Sequence, residues 1–372
     1  MKFIVVKNNL KDGISVIEKI GDMNQSLQIL KNTLIDTEEN KIKLTSTDLE
    51  VAITYFITGK IIESGKFTVP INTFSNVVNN IQSDRLNIEE NMNQLEIKTD
   101  NYEAKIQGSS AEEFPLTPKI KNKDNFIEIK SDIIKNALNQ VLISTHFSNL
   151  RPELNSILFD FSLSSLKIVG TDSFRLAEKT INDSQFTTNH KNIFKFLVPL
   201  KTIEELTRIL KNDQILKIYH DESQVLFKTE QLEFLSRLIE GNFPDYKAII
   251  PKKFDVEIVV ARKEFINALK LVGIFSGKTN EIKFKIRDNK KVLELASAYQ
   301  SVGENNYLLT AKIDSKIEDK PREVTFNWRY INDVLNVLDS EEVFLGVNSD
   351  DEPAEIKSPR EGSYLYILKP IV

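Results

Sequence analysis

Three stretches of the chain say nearly the same thing. Residues 67–81 read FTVPINTFSNVVNNI, residues 196–210 FLVPLKTIEELTRIL, and residues 324–338 VTFNWRYINDVLNVL. Each is an apolar extended run, then a chain-breaking step at Pro70, Pro199 or Asn327, then an amphipathic helix. The breaking steps stand 129 and 128 residues apart. A strand followed by a helix precedes each unit: KFIVVKNNLKDGISVIEKI, NFIEIKSDIIKNALNQVL and VEIVVARKEFINALKLVGI, with Leu10, Ile133 and Phe265 at matching places. A period this long makes each repeat a domain-sized module.

Between the helices lie alternating runs that predict strands: KIKLTSTDLEVAITYFI (41–57), SLKIVGTDSFRLAEKTI (165–181) and the less similar KVLELASAYQSVGENNYLLTA (291–311). Each module closes with further strands. The first two modules end in related turns, EEFPLTP (112–118) and GNFPDYKAIIP (241–251), which places the linkers at 115–125 and 251–255. The expected organisation is α+β, in three modules at 1–122, 123–252 and 253–372. Like modules want like neighbours, and head-to-tail contacts between them close into a ring if the rotation closes. Strands of one module can then continue the sheet of the next, leaving the helices together on the other side.

The outward helix faces are mostly Lys, Arg, Asn and Ser. They carry Lys11, Ser15 and Lys19 in the first helix, and Asn72, Asn76 and Asn79 in the second. Lys135 and Asn139 mark the third, and Lys201 and Arg208 the fourth, beside Glu204 and Glu205. Lys263, Asn267 and Lys270 line the fifth, and Arg329, Asn332 and Asn336 the sixth. Much of the acid sits in loops such as EENMNQ, HDESQ and NSDDEP. As plain solvated faces these helices would hold i,i+4 pairs such as Lys201–Glu205 and Glu204–Arg208. As the wall of a channel they suit a phosphate backbone, which Lys and Arg attract without reading sequence.

Composition narrows the function further. The net charge is −5, so any nucleic-acid role must rest on local charge. There is no cysteine, which excludes disulfides and Cys-ligated metal and fits a reducing cytosol. His146, His190 and His220 have no metal-ligand spacing. No apolar run is long enough to span a membrane, and MKFIVVKNNL lacks the apolar core of a secretory leader. GIFSGKT (273–279) has three residues where a phosphate-binding loop needs four, and it follows a helix rather than a strand. NSDDEP lacks the ligand spacing of a calcium loop. Asp48 and Asp172, in paired TD steps, have no neighbouring His or Cys to act with them.

The motif set resembles the β subunit of bacterial DNA polymerase III, the sliding-clamp family. It is carried by SLQILKNTLI (26–35), LTSTDLEVAI (44–53), RPELNSILF (151–159), VGTDSFRLAEKTI (169–181), GNFPDYKAIIPK (241–252) and NWRYINDVLNVL (327–338), whose order and spacing cover the whole chain. The resemblance implies three "DNA clamp" domains per chain, each with two helices packed on antiparallel sheets, in a head-to-tail dimeric ring around duplex DNA. It implies no catalysis, no cofactor and no metal. The implied partners are a second copy, the replicative polymerase, a clamp loader, and repair polymerases and other proteins carrying the clamp motif, in the cytoplasm at the nucleoid.

The resemblance also implies a pocket for a linear peptide between the second and third domains. Carried over, it comprises Leu154, Thr171, Ser173, Phe174, Arg175, Leu176, Pro244, Ile249, Asn327, Tyr330, Pro353, Leu368, Pro370 and Ile371. Leu154, Leu176, Ile249 and Leu368 are expected to form apolar wells, and Arg175 and Asn327 to meet polar groups of the peptide. To the DNA-facing set of Lys11, Asn72, Lys135, Lys201, Arg208, Lys263, Lys270 and Arg329 it adds Asn24 and Arg151. Asn24 and Asn72 stand where some relatives have arginine. It places Ala104 and Ile106 of one copy against Ile274 and Phe275 of the other. Ala248 and the tail YILKPIV depart from the family pattern. A DNA-independent protein scaffold and a metal-dependent nuclease are the rival readings.

Overall fold

The computed structural model describes residues 1–21, 27–38, 41–121, 123–147, 151–286, 291–315 and 322–372. Six helices occupy the predicted places: α1 (Lys7–Gly21), α2 (Ile71–Asn80), α3 (Ser131–Leu142), α4 (Leu200–Ile209), α5 (Arg262–Gly273) and α6 (Trp328–Val337). Each buries the stripe that its apolar spacing predicts. Leu10, Ile14 and Ile17 are buried in α1, Ile134, Leu138 and Val141 in α3, and Phe265, Leu269 and Val272 in α5.

The described chain forms two compact units. One comprises Met1–Asp132, Phe186–His190 and Lys201–Leu238; the other comprises Ile133–Gln185, Lys191–Leu200 and Ile239–Val372. The middle third is thus divided between its neighbours, because its strands extend both of their sheets. In the first unit a ten-stranded sheet runs from the first third through Val51–Ile57 directly onto Leu232–Arg237 of the middle third. In the second unit a twelve-stranded sheet passes from Arg175–Asn182 of the middle third onto Tyr364–Leu368 of the last.

The two junctions share one register. Ala52 stands opposite Leu235 in the first, and Leu176 opposite Ile367 in the second. Ala52 and Leu176 are themselves equivalent, since each pairs across its own hairpin with the threonine of a TD step, Thr47 or Thr171. An apolar cluster seals each junction on one sheet face. It comprises Ala52, Ile120, Tyr219, Leu226 and Leu235 in one, and Leu158, Val169, Leu176, Leu197, Tyr246 and Ile367 in the other.

The TD steps explain why the strands reverse where they do. Thr47 Oγ1 donates to the Val51 carbonyl at 2.7 Å, while Asp48 Oδ1 accepts from the Glu50 and Val51 amides at 3.0 and 2.7 Å. Thr171 and Asp172 repeat every bond. Thr171 Oγ1 reaches the Arg175 carbonyl at 2.7 Å, and Asp172 Oδ1 accepts from Phe174 and Arg175, both at 3.0 Å. The short side chains replace strand partners at the corner, so the chain can turn through a left-handed residue, Leu49 at φ 78° and Ser173 at φ 76°. In the last third the corresponding hairpin pairs Val292–Tyr299 with Gly303–Ser315, without a TD step, and has a positive φ of 124° at Gly303.

Candidate peptide pocket and helix faces

The second unit brings most of the expected pocket together. The Thr171–Asp172 corner throws Phe174 outward, 60% exposed, and turns Leu176 into the core. The C-terminal strand lies alongside. Leu368 pairs with Arg175 and with Ala354, next to Pro353, and the Lys369 amide donates to the Phe174 carbonyl at 2.8 Å. The Ile371 amide donates to Thr325 at 2.8 Å, which holds Pro370 buried and Ile371 half-buried beside the strand that leads into α6. Pro244 and Ile249 are exposed on the segment that ends the middle third, and Ile249 ends the short helical turn Tyr246–Ile249.

Several expected roles change. Arg175 does not stand open to a ligand. Its Nε donates to Asp172 Oδ2 at 2.9 Å and its Nη1 to Asp333 Oδ2 at 2.6 Å, with the guanidinium 4.1 Å from the centre of the Tyr330 ring and its side chain 9% exposed. Burial works against this charge, but Tyr366, Asp333 and Asp172 more than offset it and raise the Arg175 pKa further. Arg175 is therefore a lock between the TD corner and α6. Tyr330 is fixed from its other side, its carbonyl accepting from the Tyr366 hydroxyl at 3.0 Å. Asn327 caps α6, its Oδ1 accepting the Arg329 amide at 3.0 Å. The cap does not engage its side-chain NH2.

Leu154, Leu176 and Leu368 are buried in the chain's own core. They point inward, while Phe174, Pro244 and Ile249 are exposed and Ile371 is half-buried. Residues that the sequence reading missed complete the set. Asp333 holds Arg175, and Glu178 accepts the Tyr246 hydroxyl at 2.6 Å and a Lys167 ammonium hydrogen at 2.6 Å. The signal for Asp333 was available, since a buried arginine demands a counter-ion.

On the helices, Lys11, Asn72, Lys201, Arg208, Lys263, Lys270 and Arg329 are exposed, as is Arg151 on its loop, and Lys135 is half-buried. Asn24 lies outside the described residues. Arg208 pairs with Glu205 at 2.7 Å, not with Glu204. Glu205 lies on the buried side of α4, so the i,i+3 spacing wins over the expected i,i+4. Lys201 has no ion pair among the described residues. Arg329 donates from Nε to Asn280 Oδ1 at 2.8 Å and lies over the Trp328 ring.

The expected seam residues divide. Ile274 is 64% exposed and Phe275 half-buried at the end of α5. On the first unit, Ala104 is half-buried but Ile106 is buried. Ile106 pairs with buried Leu95 across the hairpin and Ala104 with buried Ile97, so both lie on the same face of the sheet. The strand Glu103–Gln107 that carries both is the edge of a five-stranded sheet.

Three domain-sized repeats of two helices on antiparallel sheets, joined strand to strand, define a clamp-class protein. Family models agree over nearly the whole chain. The DNA polymerase III beta subunit N-terminal, central and C-terminal domains match residues 1–118, 128–245 and 247–371. The beta sliding clamp of Bacillus subtilis is 26% identical, with 100% of this chain and 99% of the relative covered, and that of Chlamydia pneumoniae is 24% identical with the same coverage. The crystal structure of the Bacillus subtilis DNA polymerase sliding clamp superposes with a TM-score of 0.93 at 25% identity, over 100% of this chain and 99% of that one. The Pseudomonas aeruginosa DNA polymerase III subunit beta gives 0.93 at 22%, over 100% of both, which speaks for the fold. The chain belongs to the DNA polymerase III beta subunit family. Members of that family are processivity subunits and carry out no catalysis themselves.

Proposed function

We propose that two copies of this chain close head to tail into a ring that encircles duplex DNA, slides along it, and tethers the replicative polymerase. The modules are those bounded at 1–122, 123–252 and 253–372. The observation that carries the reading is the repeated junction. Each internal boundary joins a corner strand of one module to the last strand of the next, with the same register. Applied once more, the rule leaves two ends unmatched, the edge strand Glu103–Gln107 and the corner strand Gly303–Ser315 of the last module, which lies against the end of α5 near exposed Ile274. A second copy supplies both partners.

DNA contact falls to Lys11, Asn72, Lys135, Arg151, Lys201, Arg208, Lys263, Lys270 and Arg329, which meet phosphates without reading bases. Partner peptides dock over Phe174, Ile249, Asn327 and Ile371, on the floor of Leu154, Leu176, Leu368 and Pro370. The replicative polymerase, the clamp loader and repair polymerases are the partners this site serves. No helix among the described residues is long and apolar enough to cross a membrane, in keeping with work at the nucleoid.

The test is topological. Once loaded, the protein stays on circular DNA and leaves when the circle is cut, because only an encircling particle notices the ends. Equal retention on both forms favours the scaffold reading and overturns this one.

A further inference from the structure

The two internal junctions are built alike, yet the surface differs between them at one point. After the last strand of its module, each linker reads Phe-Pro: Phe114-Pro115 in the first and Phe243-Pro244 in the second. Three residues past the phenylalanine stands Thr117 in one and Tyr246 in the other; six past it stands Ile120 or Ile249.

In the first junction Thr117 is half-buried and lines the small space beside the seal. Ile120 fills the place, 5% exposed, against Ala52, Leu226 and Leu235, and a space of only about 40 Å³ remains beside it. In the second junction Tyr246 fills the corresponding place, 5% exposed, against Leu176 and Ile367. Its ring meets Phe243 edge-on at 6.1 Å, and its hydroxyl is held by Glu178. With the seat taken, Ile250 packs only half-buried against the rim of the same cluster, and Ile249 is left 49% exposed.

From this comparison we infer that Tyr246 is the positioning residue that makes the second junction a peptide site, by occupying the seal so that Ile249 stands out as an apolar wall. Thr117 leaves the first junction closed, because its own linker isoleucine turns inward. This rests on the peptide-pocket reading above. Tyr246 itself touches no peptide; it acts through Ile249. Filling is the operative property, since a core seat left empty draws in the nearest apolar group.

The chain has no cysteine, so a single introduced thiol reports exposure cleanly. In an I249C background, iodoacetamide alkylation is fast; adding Y246T is expected to slow it by about tenfold as residue 249 turns inward. In the otherwise unchanged chain, Y246T weakens binding of a fluorescent peptide carrying the polymerase's clamp-docking segment by about tenfold, whereas Y246F keeps the ring and stays within about threefold. The reciprocal pair, I120C with and without T117Y, gains alkylation in the first junction and guards against a Y246T chain that folds poorly. Unchanged alkylation in both pairs overturns the inference. A peptide that fails to bind the unaltered chain overturns the pocket reading, and the alkylation rates then still decide which residue fills the seat.

Discussion

Arg175 shows how far a residue's chemistry can be read without its neighbours. Its position in TDSFRL marked it as part of the site, yet its charge is met within the chain by Asp172 and Asp333. A guanidinium has five donors, and which acceptors it finds depends on the helix that folds back over it. D333N removes the shorter of the two ion pairs while the arginine stays largely buried. It is expected to lower stability by about 1–3 kcal/mol, seen as a lower urea midpoint. An unchanged midpoint means that Asp172 alone suffices. Asn327 is similar: it was legible as a helix start, and its capping bond follows from that position, but that its side-chain oxygen is taken up by the helix followed only from the bond itself.

At the level of the helix, periodicity was enough to place all six, because a 3.6-residue stripe of Leu, Ile and Phe has no other way to be buried. The polar faces were less legible. Spacing alone allows Arg208 to meet either Glu204 or Glu205, and burial of Glu205 decides it. The two cations of α4 should therefore behave differently. K201E alters a cation without an ion pair among the described residues, and weakens DNA retention more at about 50 mM salt than at about 200 mM. R208E weakens DNA contact less, and costs about 1–3 kcal/mol by leaving Glu205 buried beside a like charge. Equal DNA effects with equal thermal midpoints would show that the pair with Glu205 is immaterial.

For the whole molecule, the proposed ring closure draws on surface that the single chain leaves open. I274D places a charge on an apolar group that is 64% exposed. It should leave the chain's melting temperature near the parent value while raising the dimer dissociation constant by at least about tenfold, read by sedimentation. A mass that stays at twice 42.6 kDa at low concentration would remove Ile274 from the seam. Ile106 offers no such separation, because it is core as well as edge. By itself the sequence determined three repeats, six helices and the strand corners, since these follow from local spacing, breaking residues and side-chain bonds a few positions away. Only the tertiary structure decided which side chains of the site remain open. Arg175 and Leu176 are adjacent in one motif and Tyr246 and Ile249 three apart in another, yet Asp333, Ile367 and Glu178, far off in the chain, decide how the first three are met, and burial is a property of the packed whole.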